Sequence, residues 1–177
     1  AKVESFLSEL YPEIRFLYNP NYMWGNALSV GVARDFVGND SFVLCMGDHL
    51  ISNRIVENLL SSSWDGNILC IDSKATKPAQ LDEATRALVD DDGYVVRIGK
   101  GLEAWNAIDT GVFKMTPDVF SVIDLLMDRQ GMEVGISDVV RHMCANGLPF
   151  STCDVEGEFW SDVDTLDDYL AIKRMMN

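Results

Sequence analysis

Short apolar runs alternate along this chain with segments in which apolar residues recur at helical spacing. Several of these runs, such as Phe42–Met46 and Asn67–Ile71, are almost entirely apolar and do not alternate apolar with polar side chains. Strands of that composition are typical of a parallel sheet that is covered on both faces. The pattern therefore predicts an α/β domain with a mostly parallel sheet and helices on both faces.

The predicted elements extend over the whole chain, without a repeat or a low-complexity linker, so we expect residues 1–177 to form one domain. The predicted strands are Ile14–Tyr18, Phe42–Met46, Asn67–Ile71, Ala107–Met115, Phe150–Val155 and two more that turn at Asp92-Gly93. The predicted helices are Val3–Leu10, Ala27–Phe36, Ser52–Leu60, Asp118–Arg129, Ile136–Asn146 and Leu166–Met176.

The chain is strongly acidic, with a formal net charge of −14. A nucleic-acid partner is not expected, because phosphate backbones are bound by basic patches. The acidic residues either serve solubility or gather in part to hold a cation. The cysteines form no CxxC pair, and Cys45 and Cys70 lie in apolar runs, which predicts reduced thiols and a cytoplasmic location. No apolar run approaches the roughly 20 residues of a membrane span.

A first acidic corner, Gly47-Asp48-His49, directly follows the predicted strand Phe42–Met46. In open α/β sheets, ligands bind beyond the carboxyl ends of the strands, which is where this corner lies. Gly47 would let the backbone approach a ligand, and Asp48 could hold a hard cation such as Mg²⁺. Alternatively, Asp48 only begins the next turn, while His49 either binds a phosphate or packs under the following helix.

A second acidic corner lies near the end of the chain, in the segment FWSDVDTLDD. Asp162 and Asp164 are two residues apart, so in an extended segment both side chains point to the same side. Two such carboxylates repel each other unless a cation lies between them. Asp167 and Asp168 fit a structural role instead, at the start of a helix that is capped by Thr165.

The two corners together would suit a divalent cation. If Asp48 meets Asp162 and Asp164 in space, three carboxylates could hold one Mg²⁺. Because Mg²⁺ usually takes one or two protein carboxylates together with substrate phosphates and water, this predicts metal-assisted phosphoryl or nucleotidyl transfer. The metal would orient a nucleoside triphosphate and offset the charge that develops at its α-phosphate.

A family resemblance is carried by five segments in a fixed order: NPNYMWGNALSVGVA, FVLCMGDHL, DEATRALVDDDGYVVRIGKGL, WNAIDTGVF and FWSDVDTLDDY. Together they resemble the sugar-phosphate nucleotidyltransferase superfamily and, within it, the inositol-1-phosphate cytidylyltransferases. The resemblance extends from about Tyr18 to Met175 and implies a Rossmann-like nucleotidyltransferase fold. It further implies an enzyme of phospholipid biosynthesis, in which an acceptor phosphate attacks the α-phosphorus of CTP and pyrophosphate leaves.

The resemblance implies roles for the acidic corners and for Lys100. Asp48, Asp162 and Asp164 would form the Mg²⁺ site, and Gly47 with Asp48 would lie beside the nucleotide. Lys100, which stands between two glycines, would contact the acceptor phosphate or the metal-bound phosphates. Asp48, Lys100 and Asp164 would then be catalytic. From the residues alone, Lys100 is equally typical of a solvated turn.

The resemblance also implies an acceptor pocket, for which the candidate residues are Asn26, Ser29, Arg86, Asp109, Thr110 and Gly111. Arg86 stands where the family has a lysine, which leaves its role in phosphate binding open. From the residues alone, Asn26 is also typical of a turn, and Gly111 permits close approach of the backbone. Trp160 is expected in the core or in the wall of the pocket.

One part of the family pattern does not occur in these 177 residues. The family begins with a strand and a glycine-rich loop of the form GxGxRL, whose backbone amides bind the triphosphate. This chain contains no such loop and starts at Ala1. We therefore expect a domain that is truncated at its N-terminus, lacks its first strands, binds CTP poorly and is inactive by itself.

Three functions are compatible with the sequence. The first is transfer of CMP from CTP to a phosphorylated alcohol, with inositol-1-phosphate favoured as the acceptor. The second is the same chemistry with a sugar-1-phosphate or phosphocholine as the acceptor. The third is a non-catalytic binding or regulatory module that has lost the nucleotide loop. Some members of the resembled family are fused to a membrane-embedded phosphatidyltransferase, so fusion to or partnership with such a domain is a further hypothesis.

Overall fold

The computed structural model describes residues 2–75, 84–130 and 133–175, and it confirms the predicted α/β class. The strands in this part of the chain are β1 (Phe42–Cys45), β2 (His49–Ile51), β3 (Asn67–Asp72), β4 (Arg86–Val89), β5 (Val95–Gly99), β6 (Ala107–Met115), β7 (Phe150–Asp154) and β8 (Trp160–Asp162). The helices are α1 (Lys2–Leu10), α2 (Asn26–Gly31), α3 (Arg34–Val37), α4 (Asn53–Ser61), α5 (Asp118–Gln130), α6 (Ile136–Ala145) and α7 (Leu166–Met175). No described helix is long and apolar enough to cross a membrane.

The larger sheet has the strand order β5-β4-β6-β3-β7, and β1 also pairs with β6. The strands β1, β3, β4 and β7 run in one direction, as most strands were predicted to do, whereas β5 and β6 run in the other. Because β6 lies between strands of the opposite direction, its pairings are antiparallel, and β3 pairs in parallel with β7.

Apolar side chains cover both faces of this sheet, as the continuous apolar runs predicted. On one face, Leu69 of β3 and Phe113 of β6 belong to a core that includes residues of α2, α5 and α6. On the other face, Ile68 and Val112 pack in a second core with Ile55 of α4. Every residue of β3 is buried, because helices cover this strand from both sides.

The predicted cap of the last helix is present. Asp168 accepts hydrogen bonds from the backbone amide and the hydroxyl of Thr165, both at 2.7 Å. The amide of Asp168 in turn donates to the hydroxyl of Thr165 at 3.2 Å. These bonds lower the pKa of the Asp168 carboxyl. Asp168 therefore has the structural role that its position at the helix start indicated.

Two predicted elements differ from the structure. Residues 14–18 form no strand, since they pair with no other strand in the described part of the chain, and Ile14 and Tyr18 are exposed. An apolar segment forms a β-strand only where a neighbouring strand can pair with its backbone. The helix predicted over Ala27–Phe36 is divided into α2 and α3, because α2 ends at Gly31, a poor helix former.

Candidate active site

A short ladder brings the two acidic corners together. β2 and β8 form a separate antiparallel pair in which His49 lies opposite Asp162. Beyond this pair, the amide of Val163 donates a hydrogen bond to the carbonyl of Asp48 at 2.8 Å. The structure therefore places Asp48 beside the Asp162–Asp164 segment through backbone pairing that the sequence did not reveal.

A cavity of about 270 Å³ opens at this ladder. The predicted site residues that line it are Asn26, Asp48, Lys100, Asp109, Gly111, Asp162 and Asp164. They come from both acidic corners, from β6, from the residue that follows β5 and from the start of α2. A lysine and several carboxylates around one space suit a ligand whose phosphate groups are bridged by a cation.

His49 packs against β6 and β8 and lines the cavity. Its Nδ1 lies 2.8 Å from the carbonyl oxygen of Thr110, and because a carbonyl only accepts, Nδ1 carries the proton. The ring stacks on Trp160 with the ring centroids 6.3 Å apart. Its Nε2 lies 3.8 Å from Oδ1 of Asp48. The imidazole thus links the first acidic corner to β6.

Asp109 carries a perturbed carboxyl group in the wall of the cavity. Burial raises its pKa from 3.8 to about 6, while the amide of Gly111 and the nearby His49 oppose this rise. The Gly111 amide donates to Oδ1 of Asp109 at 2.7 Å. A carboxyl group that titrates this close to neutral pH can exchange a proton, or accept hydrogen bonds from a ligand's hydroxyl groups.

The acidic corners offer oxygen ligands without forming a closed metal cage. Within residues 2–75, 84–130 and 133–175, no group of three or more His, Cys, Asp or Glu side chains is arranged to hold a metal ion. The Asp48 side chain is 60% exposed. Mg²⁺ commonly takes one or two protein carboxylates and completes its coordination with water and substrate phosphates. The residues present fit that form of binding, and the metal itself stays a prediction.

Gly47, Ser29 and Thr110, which were predicted at the site, do not line the cavity. Ser29 is exposed, and its hydroxyl accepts a hydrogen bond from the side-chain Nδ2 of Asn19 at 3.0 Å. Thr110 is buried, and its hydroxyl donates to the carbonyl of Cys70 at 2.9 Å. The polar groups of Ser29 and Thr110 are thus used within the fold, so direct contact with an acceptor is not the role that their positions indicate.

Arg86 also lies outside the cavity wall. Its guanidinium donates to the carbonyl of Leu102 at 3.1 Å and lies over the ring of Trp105, 5.4 Å from the centroid. Both partners belong to the loop that follows Lys100. Arg86 therefore holds this loop in place and leaves Lys100 as the predicted basic residue that reaches the cavity.

The first turn of α6 contributes to the cavity and was not predicted to do so. Ile136 and Ser137 line the wall, and the amide of Ile136 donates to Oδ1 of Asn26 at 2.9 Å. Asn26 thus joins α2 to α6 as well as facing the cavity. A helix start that follows Gly135 was a usable signal in the sequence, since helix N-termini favour anions.

Comparison with known proteins agrees with this geometry. Residues 4–177 match the family described as Nucleotidyl transferase. The chain belongs to the nucleotidyltransferase family. Nucleotidyltransferases are enzymes, so the comparison supports the enzyme interpretation of the sequence over that of a binding module.

The relatives of this nucleotidyltransferase are longer proteins. The bifunctional IPC transferase and DIPP synthase of Archaeoglobus fulgidus is 30% identical over 174 residues, which cover 98% of this chain and 33% of that protein. The chain spans about a third of the length of the first curated relatives that it matches.

Two solved structures share the nucleotidyltransferase fold. The inositol-1-phosphate CTP transferase from T. maritima has a TM-score of 0.74 and 24% identity, over 85% of this chain and 60% of its own. A putative glucose-1-phosphate thymidylyltransferase from Bacillus anthracis has a TM-score of 0.76 and 22% identity, over 98% of this chain and 70% of its own. These likenesses confirm the Rossmann-like fold that the resemblance implied.

Proposed function

We propose that this domain transfers CMP from CTP to inositol-1-phosphate and releases pyrophosphate. The observation that supports the proposal is one cavity lined by Asp48, Asp162, Asp164 and Lys100. Carboxylates and a lysine in the wall of one cavity suit a triphosphate bound with Mg²⁺ beside an acceptor phosphate. The names of the A. fulgidus relative and the T. maritima structure support a CTP-using transferase that acts on an inositol phosphate.

In the proposed reaction, Asp48 with Asp162 or Asp164 would hold Mg²⁺, which would supply positive charge to offset the negative charge on the α-phosphate. Lys100 supplies a mobile positive charge to the acceptor phosphate or to the leaving phosphates. An oxygen of the acceptor phosphate forms a bond to the α-phosphorus, and the bond from that phosphorus to the bridging oxygen of pyrophosphate breaks. The attacking oxygen is already anionic, so the protein needs no general base.

Asp109 supports an acceptor that carries hydroxyl groups. Its partly buried carboxyl lines the cavity and accepts one hydrogen bond from Gly111, which leaves its second oxygen for a ligand. A site built around a buried hydrogen-bonding group discriminates against ligands that lack the matching donor. The choline group of phosphocholine has no such donor. A polyhydroxylated acceptor such as inositol-1-phosphate is therefore favoured.

A sugar-1-phosphate is the second candidate acceptor, because its hydroxyl groups would suit Asp109 equally well. The name of the B. anthracis structure supports this alternative. A non-catalytic module is less well supported, since Lys100 and both acidic corners line one cavity.

The proposal includes a further element that binds the triphosphate. No GxGxRL segment occurs in the 177 residues, so we expect tight CTP binding and turnover to require such a loop in addition to these residues. The N-terminal part of the described chain exposes apolar side chains, among them Phe6, Leu10, Tyr18 and Met23. Where such side chains form one patch, they are typical of an interaction surface.

The test is pyrophosphate release from CTP by the protein encoded by the full reading frame. It should be assayed with inositol-1-phosphate, glucose-1-phosphate and phosphocholine in parallel, with a reaction that lacks acceptor as the control. We expect release with inositol-1-phosphate, loss of release with EDTA and recovery with excess Mg²⁺. Release with glucose-1-phosphate alone would support the second candidate, and no release with any acceptor would contradict both.

A further inference from the structure

Asp72 is a buried carboxylate at the end of β3 that does not line the cavity. Its side chain has both oxygens engaged. Oδ2 accepts a hydrogen bond from Nε1 of Trp160 at 2.9 Å, and Oδ1 accepts from the backbone amide of Lys74 at 2.8 Å. Asp72 is only 6% exposed, and burying a carboxylate is costly unless its oxygens are hydrogen-bonded. Charged acceptors also make the stronger hydrogen bonds, so this pair is a firm link between β3 and Trp160.

Trp160 is the first residue of β8 and is itself almost fully buried. It is 4% exposed and packs in the core that contains Ile55 and Ile108. Its indole Nε1 can only donate, and in this structure it donates to Asp72. The bond therefore fixes the rotation of the ring as well as its depth in the core.

β8 needs such an anchor because it is short. It pairs with β2 over three residue pairs, and an isolated two-stranded ladder is marginally stable. Trp160 and Asp162 are two residues apart on this strand, so both side chains point to the same face, and both line the cavity. A slip of the strand by one residue would turn Asp162 away from the cavity.

We infer that Asp72 is a positioning residue for the second acidic corner. By holding the indole of Trp160, it sets the register and facing of β8, so that Asp162 points into the cavity. This inference rests on the proposed function only in treating Asp162 as a metal ligand. The effect of Asp72 on the β2–β8 ladder is independent of that role.

The experiment compares Asp72→Ala, Trp160→Phe and the double variant with a matched control, Asp154→Ala. Asp154 ends the neighbouring strand β7 and makes the same local turn, accepting a hydrogen bond from the amide of Glu156 at 3.0 Å. Trp160→Phe keeps an aromatic ring but removes the indole donor together with the volume of one ring. If Asp72→Ala does not fold, Trp160→Phe still tests the inference, because faster exchange confined to the ladder amides separates loss of this link from a general loss of packing.

The first measurement is amide hydrogen exchange by NMR. The ladder is reported by the amides of Val163 and Ser52, which donate to the carbonyls of Asp48 and Phe159 at 2.8 Å each. Loss of one buried hydrogen bond should make both amides exchange about tenfold faster in either single variant. The double variant should be no faster than the faster single variant, and Asp154→Ala should match the wild type.

The second measurement is Mn²⁺ binding by titration calorimetry, in the absence of nucleotide. Removal of a supporting residue typically weakens metal binding by about 10- to 100-fold, which is the loss expected for Asp72→Ala and Trp160→Phe. Unchanged ladder exchange in both variants, additive effects in the double variant, or equal acceleration of all core amides would each overturn the inference. If the wild type binds no Mn²⁺ without nucleotide but the ladder exchanges as expected, the positioning role stands, and the metal part of the proposed function is decided by the EDTA and Mg²⁺ assay of pyrophosphate release.

Discussion

Gly111 leaves open the space that the imidazole ring of His49 fills. A Cβ at position 111 would lie 2.6 Å from both Cε1 and Nδ1 of that ring. Gly111 also has a φ of 74°, in the left-handed region that side chains other than glycine rarely adopt. Because the ring also lies beside Asp48, this glycine determines how the first acidic corner faces the cavity.

Gly111→Ala should therefore destabilise the fold through both backbone strain and displacement of His49. We expect the free energy of unfolding to fall by at least about 1–3 kcal/mol, measured by urea denaturation. Gly147→Ala is the matched control, because Gly147 has a φ of 81° and its Cβ would meet nothing within 4 Å. Equal losses in the two variants would contradict the steric role assigned to Gly111.

Asp109 should make the stability of the protein depend on pH. Burial raises its pKa from 3.8 to about 6, so the folded protein holds this proton more tightly than the unfolded chain does. The resulting stabilisation is complete below the unfolded pKa and is lost as the pH rises through about 6. In the wild type, titration of Asp109 should therefore lower the free energy of unfolding between about pH 4 and pH 7. Asn does not titrate, so in Asp109→Asn the decrease over this pH range should be smaller than in the wild type by roughly 2–3 kcal/mol. Superimposable pH profiles for the two proteins would contradict this assignment.

Asp48→Asn and Asp162→Asn should each lower nucleotidyl transfer by about 100-fold or more, because each removes a carboxylate proposed to hold the metal. The Mg²⁺ concentration that gives half-maximal activity should rise by about 10- to 100-fold. The control is Asp167→Asn, which removes an exposed carboxylate at the start of α7, outside the cavity. A similar loss in this control would indicate a general effect of charge instead of a metal site.

The 177-residue chain by itself should bind CTP weakly in the presence of Mg²⁺. The physical reason is that it contains no glycine-rich loop whose amides would bind the triphosphate. Calorimetric titration with CTP should show affinity at least about tenfold below that of the protein encoded by the full reading frame. Robust turnover by the 177-residue chain would show that the loop is dispensable.

The sequence predicted those parts of the fold that depend on local pattern. Continuous apolar composition identified β3, the Asp92-Gly93 turn identified the hairpin, and the Thr165 cap identified the start of α7. The direction of β6 was not predictable, because an apolar run does not specify whether its neighbours are parallel. The strands β2 and β8 were missed because three-residue strands with polar members carry too little periodicity.

The candidate site was predictable where a motif placed a charged residue at the end of a strand. Asp48 was found in this way, whereas Asp162 was found from its spacing of two residues to Asp164. Asp72 also follows a predicted buried strand, but the sequence showed no partner for it. Ser29 and Arg86 were misplaced because residue type and spacing do not tell which way a side chain points. The structure shows that both side chains form hydrogen bonds within the fold, Ser29 with Asn19 and Arg86 with Leu102.

The β2–β8 ladder joins residues 49–51 to residues 160–162, which are far apart in the chain, across three residue pairs. Bringing together two segments that are so far apart in the chain costs conformational entropy, and three residue pairs offset only a small part of that cost. The ladder should therefore be among the first parts of the molecule to open. A ligand that bridges the two acidic corners brings the same two segments together, so its binding energy adds to the stability of the fold. Thermal denaturation would consequently report occupancy of the cavity, and it offers a direct screen for the natural nucleotide and acceptor.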